Sequence, residues 1–259
     1  MDVGIYIIVR RGSTRLRDKA LKKINDRYII EYLIERLVHK CSNKADIVIC
    51  TTVLEEDKVF EFIAKKYNIM FFQGDVNNVL KRQLDCANYY HHDYIVNVDG
   101  DDIFCNPEYV AKIIDVIKCD NCFDIVLTDG LPFGTNSMVY KKSVLERVFN
   151  SYKIENSDTG WGEFLKDEKM FVIHKLKAVE DDILDDARLT LDYEEDYQLF
   201  KIVIENVFKD REYVPQKEII EFLKNHPEIV EINNHLNDMF WENYNSKKMS
   251  KKSFEKDGE

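Results

Sequence analysis

The chain has 259 residues, and its 45% hydrophobic and 12% aromatic content supplies a core that sets disorder aside for most of its length. A formal net charge of −11 argues against a general nucleic-acid binder, because an acidic surface repels phosphate backbones. No apolar run is long enough to cross a membrane, and no basic region with an apolar stretch and cleavage site opens the sequence, so a cytoplasmic protein without a membrane partner is expected.

Val3 to Val9 is an apolar run expected as a buried strand. It breaks into a loop carrying Arg10, Arg11, Gly12, Ser13, Thr14, Arg15, Arg17 and Lys19. Ile29 to Val38 shows one apolar helical face, Ile47 to Cys50 a short strand, and Glu55 to Tyr67 a helix. Ile69 to Phe72 reads as a strand, Val79 to Ala87 as a helix, and Tyr94 to Val98 as a strand running into Asp99-Gly100-Asp101-Asp102.

These alternations imply βαβ units around a parallel sheet covered on both faces, where ligands bind beyond the carboxyl ends of the strands. The cationic loop after the first strand and the aspartates after the fourth therefore belong on one edge.

Pro107 opens a further helix to Ile117, and Phe123 to Leu127 is a fifth strand. A loop over 129–136 leads to a strand Ser137 to Tyr140 and a helix to about Tyr152. Region 153–187 is irregular, with a strand expected over Met170 to His174. Leu189 to Leu191 reads as a last short strand, followed by helices Glu194 to Phe208 and Glu218 to Lys224. The division expected is one domain over 1–240 and a polar, lysine-rich, disordered tail over 241–259. Among six scattered cysteines only Cys119 and Cys122 form a C-x-x-C. With no second pair and no nearby histidine they read as free thiols rather than a zinc site.

Three constellations carry chemistry. In the first loop, Gly12 lets the backbone approach an anion closely, arginine forks suit phosphate oxygens and lysine adds a point charge. A local cationic pocket in an acidic protein suits a small polyanion, here a nucleoside triphosphate. A solvated basic loop paired with nearby acids is the alternative, and neither a Walker loop nor a dinucleotide fingerprint is present. Asp99, Asp101 and Asp102 form the second. Carboxylates with nucleotide phosphates make a magnesium site, and Asp99 and Asp101 share one side of an extended segment, so both can face the ligand edge; Asp-Gly-Asp-Asp is also ordinary turn chemistry. In the third, Asp192 stands before a helix, where capping is the simplest role.

Arg10-Arg11-Gly12-Ser13-Thr14-Arg15-Leu16 with Lys19 resembles the N-terminal loop of the cytidylyltransferase superfamily, of the CMP-sugar-acid synthetase type. The spore-coat polysaccharide biosynthesis protein F group is the nearest likeness. Gly74-Asp75 through Val79-Leu80-Lys81-Arg82, Val98-Asp99-Gly100-Asp101, Arg188-Leu189-Thr190-Leu191-Asp192 with Asp196, and His226 through Asn233 are similar to its successive segments. Arg17 stands where that group usually has proline and Asp18 where it often has glycine. Thr159-Gly160-Trp161-Gly162-Glu163 stands where a Glu-His pair is common.

The resemblance implies a single Rossmann-like three-layer α/β domain with a mostly parallel sheet, of the nucleotide-diphospho-sugar transferase type. It implies a magnesium-dependent nucleotidyltransferase that uses CTP, activates a sugar acid, sugar phosphate or other small acidic acceptor, and releases pyrophosphate, in surface polysaccharide or glycan biosynthesis. Arg10, Arg15, Lys19 and Asp101 would be catalytic. Arg10, Gly12, Ser13, Thr14, Arg15, Lys19, Arg82 and Asp99 would bind the nucleotide or acceptor, and Asp101 and Asp192 would hold magnesium. Homodimers occur among such enzymes, and no long dimerisation arm is visible here. A nucleotide-sugar glycosyltransferase using Asp99-Gly100-Asp101, and a non-catalytic nucleotide-binding protein of the same fold, are the alternatives.

Overall fold

The computed structural model describes residues 1–13, 15–154, 157, 160–209 and 211–247. The chain begins with strand β1 (Val3–Ile8), a small hairpin of β2 (Lys23–Ile24) and β3 (Arg27–Tyr28), and helix α1 (Ile29–Cys41). Then come β4 (Asp46–Thr52), α2 (Val59–Lys66), β5 (Met70–Gly74), α3 (Val79–Tyr90), β6 (Tyr94–Asp99) and α4 (Pro107–Cys119). The second half holds β7 (Ile125–Asp129), β8 (Met138–Lys141), α5 (Lys142–Ser151), β9 (Ile173–Lys177), α6 (Glu194–Val203), α7 (Gln216–Asn225), α8 (Pro227–Val230) and α9 (Leu236–Lys247).

Among the described residues the main sheet has seven strands in the order β5-β4-β1-β6-β8-β7-β9. All neighbours run parallel except β8, which is antiparallel to both β6 and β7. The central strands are apolar on both faces because helices cover both. Ile5 and Ile7 point into a core with Leu33 and Leu37 of α1 and Ile113 and Ile114 of α4. Tyr6 points the other way, into a core with Leu80 of α3 and Val144 and Leu145 of α5. A third apolar cluster joins Leu189 and Leu191 to Phe200, Ile219 and Ile220 beneath α6 and α7. No helix among the described residues is long and apolar enough to cross a membrane.

Local rules explain most starts and stops. Asn78 caps α3 by accepting from the Lys81 N–H at 3.0 Å. Asn106 caps α4 by accepting from the Glu108 and Tyr109 N–H groups, with Pro107 at the first helical position.

Several sequence expectations shift. The strand expected over Met170 to His174 lies at Ile173–Lys177, because the N–H groups of Met170 and Phe171 both turn back to the Asp167 carbonyl. The expected strand Leu189 to Leu191 is a buried extended segment tied by single bonds to Phe133 and Asp101 rather than a sheet member. The segment beginning at Glu55 starts as a 3-10 turn, and Ile204–Phe208 closes the segment after α6 as a π turn.

The tail expected from 241 overlaps α9, which continues to Lys247 and packs Phe240, Trp241 and Phe133 together at 5.0–5.5 Å between ring centroids. Composition hid this helix, whose aromatic contacts reach back across the chain. Residues 248–259 lie outside the described residues.

Candidate active site

The register of the sheet places Ile8 opposite Asp99, so the loop leaving β1 and the turn leaving β6 begin side by side. At this carboxyl edge lies a cleft of about 520 Å³. It is lined by Arg10, Gly12, Ser13, Arg15, Lys19, Arg82, Asp99, Asp101 and Asp192, together with Phe133, Trp161, Phe240, Asn243 and Tyr244. Every site residue expected from the sequence is thus gathered here except Thr14, which lies outside the described residues.

The charged groups are interlocked. Lys19 Nζ donates to Asp101 Oδ2 at 2.6 Å and to Asp192 Oδ1 at 2.8 Å, and Arg15 Nη2 donates to the same Asp192 oxygen at 2.5 Å. The other Asp192 oxygen accepts from Arg188 Nη2 at 3.3 Å. Burial works against the Asp192 charge, but Lys19, Arg15 and Arg188 outweigh it and hold its carboxyl below the usual range. Burial likewise works against the charge on Lys19, yet Asp101 and Asp192 keep its pKa above the ordinary lysine value.

Behind this layer, fully buried Arg188 grips Asp196 through Nε at 2.9 Å and Nη2 at 3.2 Å. Asn233 joins Asp196 Oδ1 at 2.8 Å and the Arg188 carbonyl at 3.0 Å. Gly134 has φ +86°, and a Cβ there would sit 2.3 Å from the Leu189 carbonyl group, so only glycine lets the 188–192 segment lie this close.

Two expectations about roles change. Asp192 does not cap α6: Tyr193 is the N-cap residue, and Asp196 at the third helical position completes a capping box by accepting from the Tyr193 N–H at 2.9 Å, and from the Asp192 N–H at 2.8 Å. This frees the Asp192 carboxylate for the cleft. Asp99 to Asp102 is a turn rather than an extended segment, closed by the Asp102 N–H to the Asp99 carbonyl at 3.0 Å. Turn and cleft role coexist, since Asp99 and Asp101 both line the cleft. Burial, and then Asp101, push the Asp99 carboxyl up to about 6.

The loop cations divide. Arg10 faces the cleft and reaches the Val76 carbonyl at 3.5 Å, whereas Arg11 turns away to Asp18 at 2.7 Å. Asp18 has φ +51°, a left-handed conformation that explains why glycine suits this position and that aspartate tolerates better than most residues. Arg17, in place of the family's proline, extends into solvent with its side chain 87% exposed. Buried Arg82 holds the carbonyls of Asp75 and Val76 at 2.8 and 3.3 Å, shaping the far wall.

Asp101 and Asp192 meet at a single cationic nitrogen. Two carboxylates converging on one cation beside an open cleft fit a magnesium ion completed by phosphate oxygens and water. No group of three or more His, Cys, Asp or Glu side chains suited to a metal occurs among the described residues. Cys119 and Cys122 are exposed free thiols.

The profile of the family named Cytidylyltransferase matches residues 5–232. The chain belongs to the cytidylyltransferase family. An uncharacterised protein of Methanocaldococcus jannaschii is 30% identical over 235 residues, covering 90% of this chain and 95% of its own. The spore coat polysaccharide biosynthesis protein SpsF of Bacillus subtilis is 24% identical, with 88% and 96% covered. A solved cytidylyltransferase from Leptospira borgpetersenii shares the fold with a TM-score of 0.79 at 26% identity, covering 89% of this chain and 97% of its own.

The cytidylyltransferase family makes the protein a nucleotidyltransferase, and thereby an enzyme of nucleotidyl rather than glycosyl transfer. The single α/β domain with its mostly parallel sheet agrees with the fold expected from the sequence. Sequence reasoning missed Phe240, Asn243 and Tyr244 of α9 and Phe133 as cleft residues. The spacing of Phe240, Trp241 and Tyr244 on one helical face was the available signal.

Proposed function

We propose that this cytidylyltransferase is cytoplasmic, uses CTP with magnesium, and transfers the cytidylyl group to a small acidic sugar or related acceptor, releasing pyrophosphate. The observation that carries this reading is the convergence of Asp101, Asp192, Lys19 and Arg15 in one cleft with Arg10.

The acceptor oxygen attacks the α-phosphorus, an oxygen–phosphorus bond forms, and the bond to the β-phosphate oxygen breaks. Charge builds on the departing pyrophosphate. Arg10, Arg15 and Lys19 are the cations that face it, with the amides of Gly12 and Ser13 beside them, and such preorganised donors supply stabilisation where charge develops. Asp101 and Asp192 would hold the magnesium, which supplies further neutralisation of phosphate charge. An acceptor that is already an anion needs no side-chain base. Arg188, Asp196 and Asn233 orient Asp192 from behind.

The name of the Bacillus relative, a spore coat polysaccharide biosynthesis protein, supports a place in surface polysaccharide synthesis. The test is a pyrophosphate-release screen of the four nucleoside triphosphates against sugar acids, sugar phosphates and small phosphorylated alcohols. CTP with an acidic sugar is expected to release pyrophosphate. Release with another nucleotide but not CTP, or none with any pair, rejects the reading.

A further inference from the structure

The lining of the cleft combines the charged Arg10, Lys19, Asp101 and Asp192 with an aromatic set, Phe133, Trp161, Phe240 and Tyr244, and with Asn243. These four aromatic side chains are only half-buried, although the protein has three well-packed apolar clusters. Phosphate and carboxylate groups gain nothing from such a surface. A sugar ring does: its C–H face is apolar while its hydroxyls lie around the edge, so it needs flat apolar area with a few polar groups beside it.

The wall is a built feature. Phe240 packs on Phe133 at 5.0 Å between centroids and stacks with Tyr244 at 6.2 Å and 18°. The guanidinium carbons of Arg15 and Arg188 stand 5.7 and 5.1 Å from the Phe240 ring, which pins α9 to the charged core by cation–π contact. The Tyr244 hydroxyl donates to Glu163 Oε1 at 3.1 Å, joining α9 to the Trp161–Leu165 turn. Arg15 therefore links the charged and aromatic groups, touching Asp192 and Phe240 at once.

From this we infer that Trp161, Phe240 and Tyr244 form the acceptor subsite, and that the acceptor is a cyclic sugar stacked on this wall rather than an acyclic phosphorylated alcohol. The inference rests on the proposed CTP-dependent reaction and narrows its acceptor class. The rival occupant of an aromatic wall is the nucleotide base, which also stacks on such rings.

Trp161 and Trp241 are the two tryptophans of the chain, so Trp241→Phe leaves Trp161 as the sole indole reporter. With magnesium and CTP present, glucuronic acid and glucose 1-phosphate serve as ring probes, and glyceric acid and glycerol 3-phosphate as acyclic probes of matching charge. At least one ring probe is expected to change Trp161 emission saturably, and the acyclic probes are not. Tyr244→Ala should weaken ring-probe binding about tenfold, while the Kd of CTP measured separately by calorimetry stays within about twofold. Tyr244→Phe keeps the ring and should retain probe binding, which separates stacking from loss of the Glu163 contact.

Acyclic probes acting as strongly as ring probes, or no saturable response to either ring probe, overturns the inference. Equal loss of CTP affinity in Tyr244→Ala assigns the wall to the base and also overturns it. Failure of the wild-type protein to bind CTP in the calorimeter rejects the underlying reaction instead, and is read independently.

Discussion

Lys19 and Asp192 lie 173 residues apart in sequence and 2.8 Å apart in space, and the same ammonium reaches Asp101 at 2.6 Å. One cation thus joins the loop after β1, the turn after β6 and the segment before α6.

Lys19→Met removes that junction and one of the three cations proposed to face the phosphates. Its kcat at saturating CTP is expected to fall by about 10²-fold, in line with loss of one preorganised charge donor. Steady-state pyrophosphate release measures it, and a kcat within a factor of three of wild type would remove Lys19 from the catalytic set.

Arg188 is fully buried and pairs with two buried carboxylates, Asp192 and Asp196. Arg188→Met leaves both without that partner, and uncompensated buried charge is costly. A loss of about 3–5 kcal/mol is expected in urea unfolding. Arg188→Lys should fall between the two, since an ammonium cannot reproduce the guanidinium fork.

The two loop glycines should separate stability from binding. Gly134→Ala drives a Cβ into the Leu189 backbone at a positive φ and is expected to cost about 2 kcal/mol or more, read as a lower unfolding midpoint. A Cβ at Gly12 meets no heavy atom within 4 Å. Gly12→Ala should therefore unfold like the wild type while raising the KM for CTP, because the added methyl stands where the phosphates are proposed to approach. An unchanged KM would place the triphosphate elsewhere in the cleft.

The pH dependence of stability has an identifiable contributor far from the cleft. Burial opposes the charge of Asp124, but the Val172 N–H at 3.1 Å, Lys141 and Arg147 hold its carboxyl below the ordinary value. A carboxyl depressed in the folded state contributes stability above its unfolded pKa, and that contribution is lost as pH falls through the lower folded value. Wild type should therefore lose stability on acidification below about pH 4, and Asp124→Asn should lose about 1–2 kcal/mol at neutral pH while flattening part of this acid limb. Parallel acid limbs in the two proteins would exclude Asp124 as a source.

Alternating apolar runs and helical faces are short-range patterns, and from them the sequence alone determined a parallel α/β sheet, its strand ends and the residue types waiting there. That was enough to put Arg10 to Lys19 and Asp99 to Asp102 on one edge. Only the tertiary structure decided which side chains face inward. Arg10 and Arg11 are neighbours with the same chemistry, yet Asp57 holds the Arg11 backbone and Asp18 its guanidinium, so only Arg10 enters the cleft. The sequence suggested Asp192 as a cap, whereas the long-range grip of Arg188 and Asn233 on Asp196 places Asp196 behind it and leaves the Asp192 carboxylate to the cleft. Helix α9 was invisible to composition because its stabilising partners, Phe133, Glu163 and Arg188, come from distant parts of the chain. Local propensity fixes what a segment can become; the side chains it meets across the fold fix which way it points.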